Sequence, residues 1–234
     1  WENRKRFDKF NDKVIHDVME DIPNDFNNYI ERVGYHTPYG DINPSCNKRS
    51  IDIELRYQRD MYARDYTAYS IEKAGAKSED IIITSDADEI INPLVLQNTD
   101  WFDEHNHYVA LQRTFYYKLN VLREENWMGS RICNWSKLKE TSVDRLRQSH
   151  QNSYRIEQGG WHWSYFGNVE TIEQKLKACA DSHHGSKDMA EKIDMGKDPV
   201  GRSDLYDAVP LDDSFPEYIL KNQEKYSNLI KPWN

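Results

Sequence analysis

Cysteine is scarce in this 234-residue chain: Cys46, Cys133 and Cys179 lie far apart, are odd in number and form no CxxC. That argues against a disulfide framework and a structural zinc site, and fits reduced thiols. Positive charge is also short. Lys and Arg number 31 against 40 Asp and Glu, a formal net charge of −9. Nucleic-acid binding needs concentrated basic residues to neutralise phosphates, so the balance speaks against it, and against adhesion to anionic membranes. No apolar run approaches the ~20 residues that span a bilayer, and no signal-peptide pattern opens the chain. Internal repeats and low-complexity tracts are missing. The opening "WENRKRFDKF" reads as the middle of something rather than as a natural start.

What is present suits one sizeable domain. Hydrophobic residues make up 38 %, with 15 Tyr and 7 Trp, enough to close an aromatic-rich core. "DKVIHDVMED" (Asp12–Asp21) alternates as a strand would. Asn24–Arg49 is rich in Asn, Pro and Gly and reads as a long irregular connection. The spacing of Leu55, Tyr62, Tyr66 and Tyr69 predicts a helix from about Ile51 to Ala74, with Gly75 as its C-cap glycine. Ile81–Thr84 is a short continuous apolar run, the pattern of a buried, parallel strand. Asn92-Pro93 supplies an N-cap and a first-turn proline for a short helix through Leu96. His107–Asn120 is strand-like, dense in aromatic and β-branched residues. Asp181–Ser214 is polar and Gly/Asp-rich, a long loop of the kind that is functional or disordered. A terminal helix is expected over Pro216–Ile230. Strand, helix and strand in this order predict an α/β fold with a mostly parallel central sheet flanked by helices.

The most informative stretch is "DIIITSDADEI" (Asp80–Ile90), an apolar strand that ends in Asp86, Asp88 and Glu89. Two like charges ~4 Å apart repel by about 1 kcal/mol in water and about 4 at an effective dielectric of 20. In open α/β sheets, ligands gather outside the carboxyl ends of strands. Asp86 and Asp88, two apart in an extended segment, would point the same way. Oxygen-only ligands call for Mg²⁺ or Mn²⁺, with phosphate oxygens and water completing the shell. A diphosphate is the natural third party. The plainer reading is a solvated, capping turn. A further alternative is the strand-DxD opening of dehalogenase-type phosphatases, although Ile90 stands where those carry Thr or Val.

At this point the chain resembles glycosyltransferase family 17. "ENRKRF", "KVIHDVMEDIP", "YQRD", "DIIITSDADEI", "LQRTFYYKLN", "GGWHWSYFG", "GRSDLY" and "PEYILKN" follow in the family's order, over most of the chain. The resemblance implies a GT-A-type nucleotide-sugar-binding fold in one domain over 1–234, without the family's first strands, in which the polar loop over 181–214 is expected to be a mobile active-site loop. It implies metal-dependent, inverting transfer of GlcNAc or another hexose from a UDP-sugar donor to a glycan acceptor, with Mn²⁺ or Mg²⁺ as cofactor. A non-catalytic sugar-binding scaffold of the same fold is the alternative. Cytosol and Golgi lumen both stay open.

The roles follow from that resemblance. Asp88 is the expected metal ligand, and Asp86 binds the ribose or donor sugar or reaches the ion through water. Arg59 and Arg113 are candidates for the donor's phosphates, with salt bridges as the duller alternative, and His162 for phosphate or metal, with a hydrogen-bonded structural histidine as its duller alternative. Paired glycines in "GGWHWSYFG" would let the backbone approach a ligand. Trp161, Trp163, Tyr116 and Tyr117 offer flat faces suited to sugar rings, shared between acceptor groove and core. The catalytic base is sought among Asp181, His183, His184 and Asp204. The family's His-x-Glu is replaced here by Asp181-Ser182-His183.

Overall fold

A computed structural model describes residues 4–20, 51–97, 99–149, 153–178, 188–200 and 204–233. A 3₁₀ turn over Arg4–Phe10 precedes helix α1 (Ile51–Lys73). Strands β1 (Ile81–Thr84) and β2 (Glu89–Ile91) flank the acidic turn, and α2 (Pro93–Gln97) follows. The long hairpin β3 (Tyr108–Tyr117) and β4 (Val121–Asn134) leads into α3 (Trp135–Lys139) and α4 (Val143–Gln148). Next come β5 (Tyr154–Phe166), α5 (Val169–Ala178), α6 (Met189–Asp194), β6 (Asp207–Ala208), α7 (Glu217–Lys221) and a 3₁₀ turn over Ser227–Leu229.

The class is mixed α/β, as expected, but the strand directions differ from the expectation of a mostly parallel sheet. The order is β1-β4-β3-β5-β2, with β6 on β4. Among the described residues only the β3–β5 pairing is parallel; β1–β4, β3–β4, β2–β5 and β4–β6 are antiparallel. β1 also departs from the buried strand expected of its isoleucine run: Ile82 packs on the α3–α4 side, while Ile81 and Ile83 remain 42 % and 36 % exposed. Among the described residues it has a partner strand on one side only. The strand buried on both faces is β3, with β4 and β5 beside it.

Three apolar clusters surround the sheet. Ala68 of α1 joins Cys133, Trp135, Leu138, Val143 and Leu146. Tyr116, Tyr117, Val121 and Tyr206 pack under Ile172 and Leu176 of α5 and Met189 of α6. Phe115, Leu119, Trp161 and Trp163 are covered by Phe215 and Ile219 of the carboxyl-terminal segment. Asn120 fastens that segment to the β3–β4 turn: its amide donates to the carbonyls of Val209 and Lys231 at 2.9 Å each and its carbonyl accepts from the Lys231 N–H.

Several expected elements hold, and others move. Gly75 has φ +84°, the left-handed cap foreseen for α1. The buried face of α1 includes Tyr62, Asp65 and Ala68, whereas Tyr69 is largely exposed. Asn92 caps α2 by accepting from the Leu94 N–H at 3.1 Å. Residues 14–20 have strand-like alternation but no ladder; they lie exposed along α1, tied by Asp17 to Ser70 and Lys73. The connection over 24–49 lies outside the described residues. The described part of 181–214 carries structure: α6, a bridge between Lys197 and Leu205, and β6 against β4. The expected terminal helix stops at Lys221 and resumes only as the 3₁₀ turn. Asn134 heads an Asn-Trp-Ser sequon (Asn134-Trp135-Ser136), but it is buried and caps α3 through the Lys137 N–H, so the folded chain does not offer it for glycosylation.

Candidate active site

The acidic turn sits between β1 and β2. Its backbone is a tight turn rather than an extended segment: the Glu89 N–H donates to the Asp86 carbonyl at 3.0 Å. The expectation that Asp86 and Asp88 point together therefore does not carry over, because alternation holds only in extended chain. Instead the carboxylates divide between cations from different elements, Glu89 and Asp86 sharing Arg147 and Asp88 taking Lys175.

Arg147, from α4, grips Glu89 with two nitrogens, at 2.5 Å and 2.9 Å, and reaches Asp86 at 2.9 Å. The Glu89 side chain is fully buried, and Trp127 Nε1 donates to it at 3.3 Å. Burial works against the charge of Arg147, yet Glu89 and Asp86 hold its guanidinium above the ordinary range. A second guanidinium, buried Arg131, fixes the end of α4 by donating to the carbonyls of Leu146 and Arg147. Burial pushes Arg131 down to about 10, with Arg147 adding to the effect. Arg64 of α1 pairs with Asp60 and Asp144 at 2.8 Å and 3.0 Å and stands 3.7 Å from Asp86.

Asp88 has its own company. Lys175 Nζ lies 2.6 Å from one oxygen and His162 Nε2 lies 3.5 Å from the other. Burial alone would raise this carboxyl, but the His162 and Lys175 hydrogen bonds outweigh it and hold Asp88 well below the usual carboxylate range. Strand pairing sets this up. His162 of β5 stands opposite Glu89 of β2 and Thr114 of β3, with Nδ1 3.4 Å from the Thr114 hydroxyl. On α5, Val169, Ile172 and Leu176 face the core at helical spacing, and Lys175 beside them reaches the turn.

A cleft of about 190 Å³ adjoins Asp86. Arg64, Thr84, Ser85, Asp86 and Arg147 form its polar wall, and Ile71, Ile83 and Val143 its apolar one. Arg64 Nε and Thr84 Oγ1 are buried there with no hydrogen-bond partner among the described residues. Buried donors and hydroxyls of that kind are what a polar ligand satisfies.

The other expected site residues fall elsewhere. Arg59 is exposed on α1, and the arginine of that helix near Asp86 is Arg64. Arg113 makes the two-pronged salt bridge with Glu125 and lies over the rings of Phe115 and Phe215. Its neighbours on that side are Trp161 and Trp163, both buried, which donate their ring N–H to the carbonyls of Ser214 and Leu119. Alternation along β5 sends His162 and Ser164 to the opposite side, toward Asp88. Tyr116 and Tyr117 are buried as well, and Tyr116 stands edge-on to Tyr165 and Tyr206. The glycine pair accommodates neighbouring strands, not a ligand: a Cβ on Gly160 would stand 2.1 Å from the Ile90 carbonyl oxygen, and one on Gly159 2.7 Å from Ala110. Asp204 is exposed; Asp181, His183 and His184 lie outside the described residues. Arg147, Lys175 and Arg64 escaped the sequence reading because nothing local marks them. Lys175 is 87 residues from Asp88, and Arg147 is 61 from Asp86.

Does this donor set fit Mn²⁺ or Mg²⁺? Among the described residues no group of three or more His, Cys, Asp or Glu side chains converges. Magnesium-type sites need only one or two protein carboxylates when phosphate and water complete the shell. Asp88, 29 % exposed at its side chain and facing the His162 imidazole, meets that smaller requirement. The residues fit, with Lys175 held against the same carboxylate.

The mixed α/β sheet thus gathers an acidic turn, flanking cations and a small polar cleft, a setting with room for a charged small molecule. Residues 24–229 match the model of Glycosyltransferase family 17, so the chain belongs to that family and is a glycosyltransferase. No curated protein and no solved structure shows a significant match. The family assignment leaves the dehalogenase-type phosphatase reading without support. No described helix is long and apolar enough to cross a membrane.

Proposed function

We propose that the chain transfers GlcNAc or a related hexose from a UDP-sugar to a glycan hydroxyl, with inversion and with Mn²⁺ or Mg²⁺ bound at Asp88. The observation that supports this best is the partly exposed Asp88 carboxylate with His162 Nε2 facing it at 3.5 Å. Asp88 and His162 would hold the ion, and when bound it would act as a Lewis acid on the leaving diphosphate. The protein's own contribution is positioning. Arg147 and Glu89 fix the turn, so that Asp86 stays at the wall of the cleft, where it accepts from the donor's ribose or sugar hydroxyls. Arg64 Nε and Thr84 Oγ1 offer unused hydrogen-bonding capacity to the nucleoside half. Alignment of donor and acceptor supplies several kcal/mol of the barrier. The acceptor's proton goes to one of Asp181, His183, His184 and Asp204, the candidates supplied by the sequence.

The test is UDP release from a panel of UDP-sugars with Mn²⁺, with and without EDTA. Asp88→Asn is expected to lower metal-dependent release on the order of a hundredfold. Release that ignores both EDTA and Asp88→Asn would overturn the reading. Tight UDP-sugar binding without turnover toward any acceptor or water would favour the scaffold alternative.

A further inference from the structure

Lys175 is more closely engaged than a surface lysine needs to be. Its ammonium lies 2.6 Å from Asp88, donates to the buried Ser164 hydroxyl at 3.2 Å and stands 5.2 Å from the centre of the Tyr165 ring. Three separate contacts hold one cation against the carboxylate that, on the reading above, takes a divalent ion. A divalent ion and the ammonium would draw on one carboxylate and repel each other at such short range, so they compete for it. We propose that Lys175 is a tethered counter-ion, which stabilises Asp88 in the metal-free enzyme and which a divalent cation must displace.

The geometry gives the displaced ammonium somewhere to remain. Ser164 and Tyr165 are neighbours on β5 and do not depend on Asp88, so they keep the ammonium at the rim of the site. There its charge meets the diphosphate. Donor and cation thus assist one another: the ion frees the lysine, and the diphosphate gives the freed charge a new partner. Weak metal binding by the protein alone, strengthened by nucleotide, is the consequence.

The experiment measures Mn²⁺ binding to the whole chain by the electron paramagnetic resonance of free Mn²⁺, with and without UDP, in parallel with folding by circular dichroism. In Lys175→Met and Lys175→Gln, Mn²⁺ alone is expected to bind roughly tenfold tighter, the size of one charge-assisted contact removed from competition. The gain from added UDP is expected to shrink in both variants, while Lys175→Arg keeps near-parental behaviour. The inference rests on Asp88 as ligand, and Asp88→Asn separates the two ideas. If Asp88→Asn leaves Mn²⁺ affinity unchanged, the metal assignment falls and this inference with it. If Asp88→Asn weakens binding but neither lysine variant tightens it, the counter-ion role alone is wrong.

Discussion

Removing Arg147 should be the most damaging single change at the acidic turn. Its two-pronged contact is to Glu89, whose side chain has no exposure at all. In Arg147→Met the stem is retained and the charge is lost, leaving a buried carboxylate with two long contacts, Trp127 Nε1 and the Asp86 N–H, each at 3.3 Å. Breaking a buried pair from one side costs about 3–5 kcal/mol, because the surviving charge is left uncompensated. The further contact with Asp86, whose side chain is 38 % exposed, adds at most about 1 kcal/mol. Against a total stability of roughly 5–15 kcal/mol, that is a large fraction. Urea unfolding at pH 7, followed by tryptophan fluorescence with the slope held constant, measures the loss. Glu89→Gln placed on top of Arg147→Met removes the charge that lacked a partner, and should restore about 2 kcal/mol. A loss under about 1 kcal/mol for Arg147→Met, or a double variant no more stable than the single one, would refute the claim that this pair organises the turn.

Two further expectations concern the tryptophans and acid. Trp163 stacks on Phe115 with centroids 5.8 Å apart, so Trp163→Ala should cost about 3–5 kcal/mol, whereas Trp163→Phe should keep acceptor KM at the parental value; a raised KM at unchanged stability would return this ring to the acceptor surface. Asp88 has a depressed folded-state pKa, so its contribution is fully present above the unfolded value of about 3.9 and is lost as pH falls below it. Asp88→Asn should therefore flatten the fall in urea midpoint between pH 5 and pH 2, and an unaltered acid profile would show that its ion pair adds nothing to stability.

The elements most legible in the sequence were those with a local cause. Gly75 must cap α1 because its backbone turns left-handed, and Asn92-Pro93 must open α2 because one caps and the other fits a first turn. The β3 strand announces itself through aromatic and β-branched residues. By contrast, residues 14–20 alternate without pairing, since alternation describes a side-chain pattern and not the presence of a neighbour. The tryptophans of "GGWHWSYFG" looked suited to sugar rings, and the carboxyl-terminal segment folded over them instead.

By itself the sequence determined where the carboxylates cluster, that an apolar strand leads into them, and which family the chain resembles. Those are properties of neighbouring residues. Which cation neutralises which carboxylate was decided only by the tertiary structure, because α4 and α5 bring Arg147 and Lys175 from dozens of residues away onto opposite partners in one turn. The direction of the strands was decided there too: hydrogen-bond pairing is chosen by the neighbour that packs alongside, and an isoleucine run is equally apolar read either way.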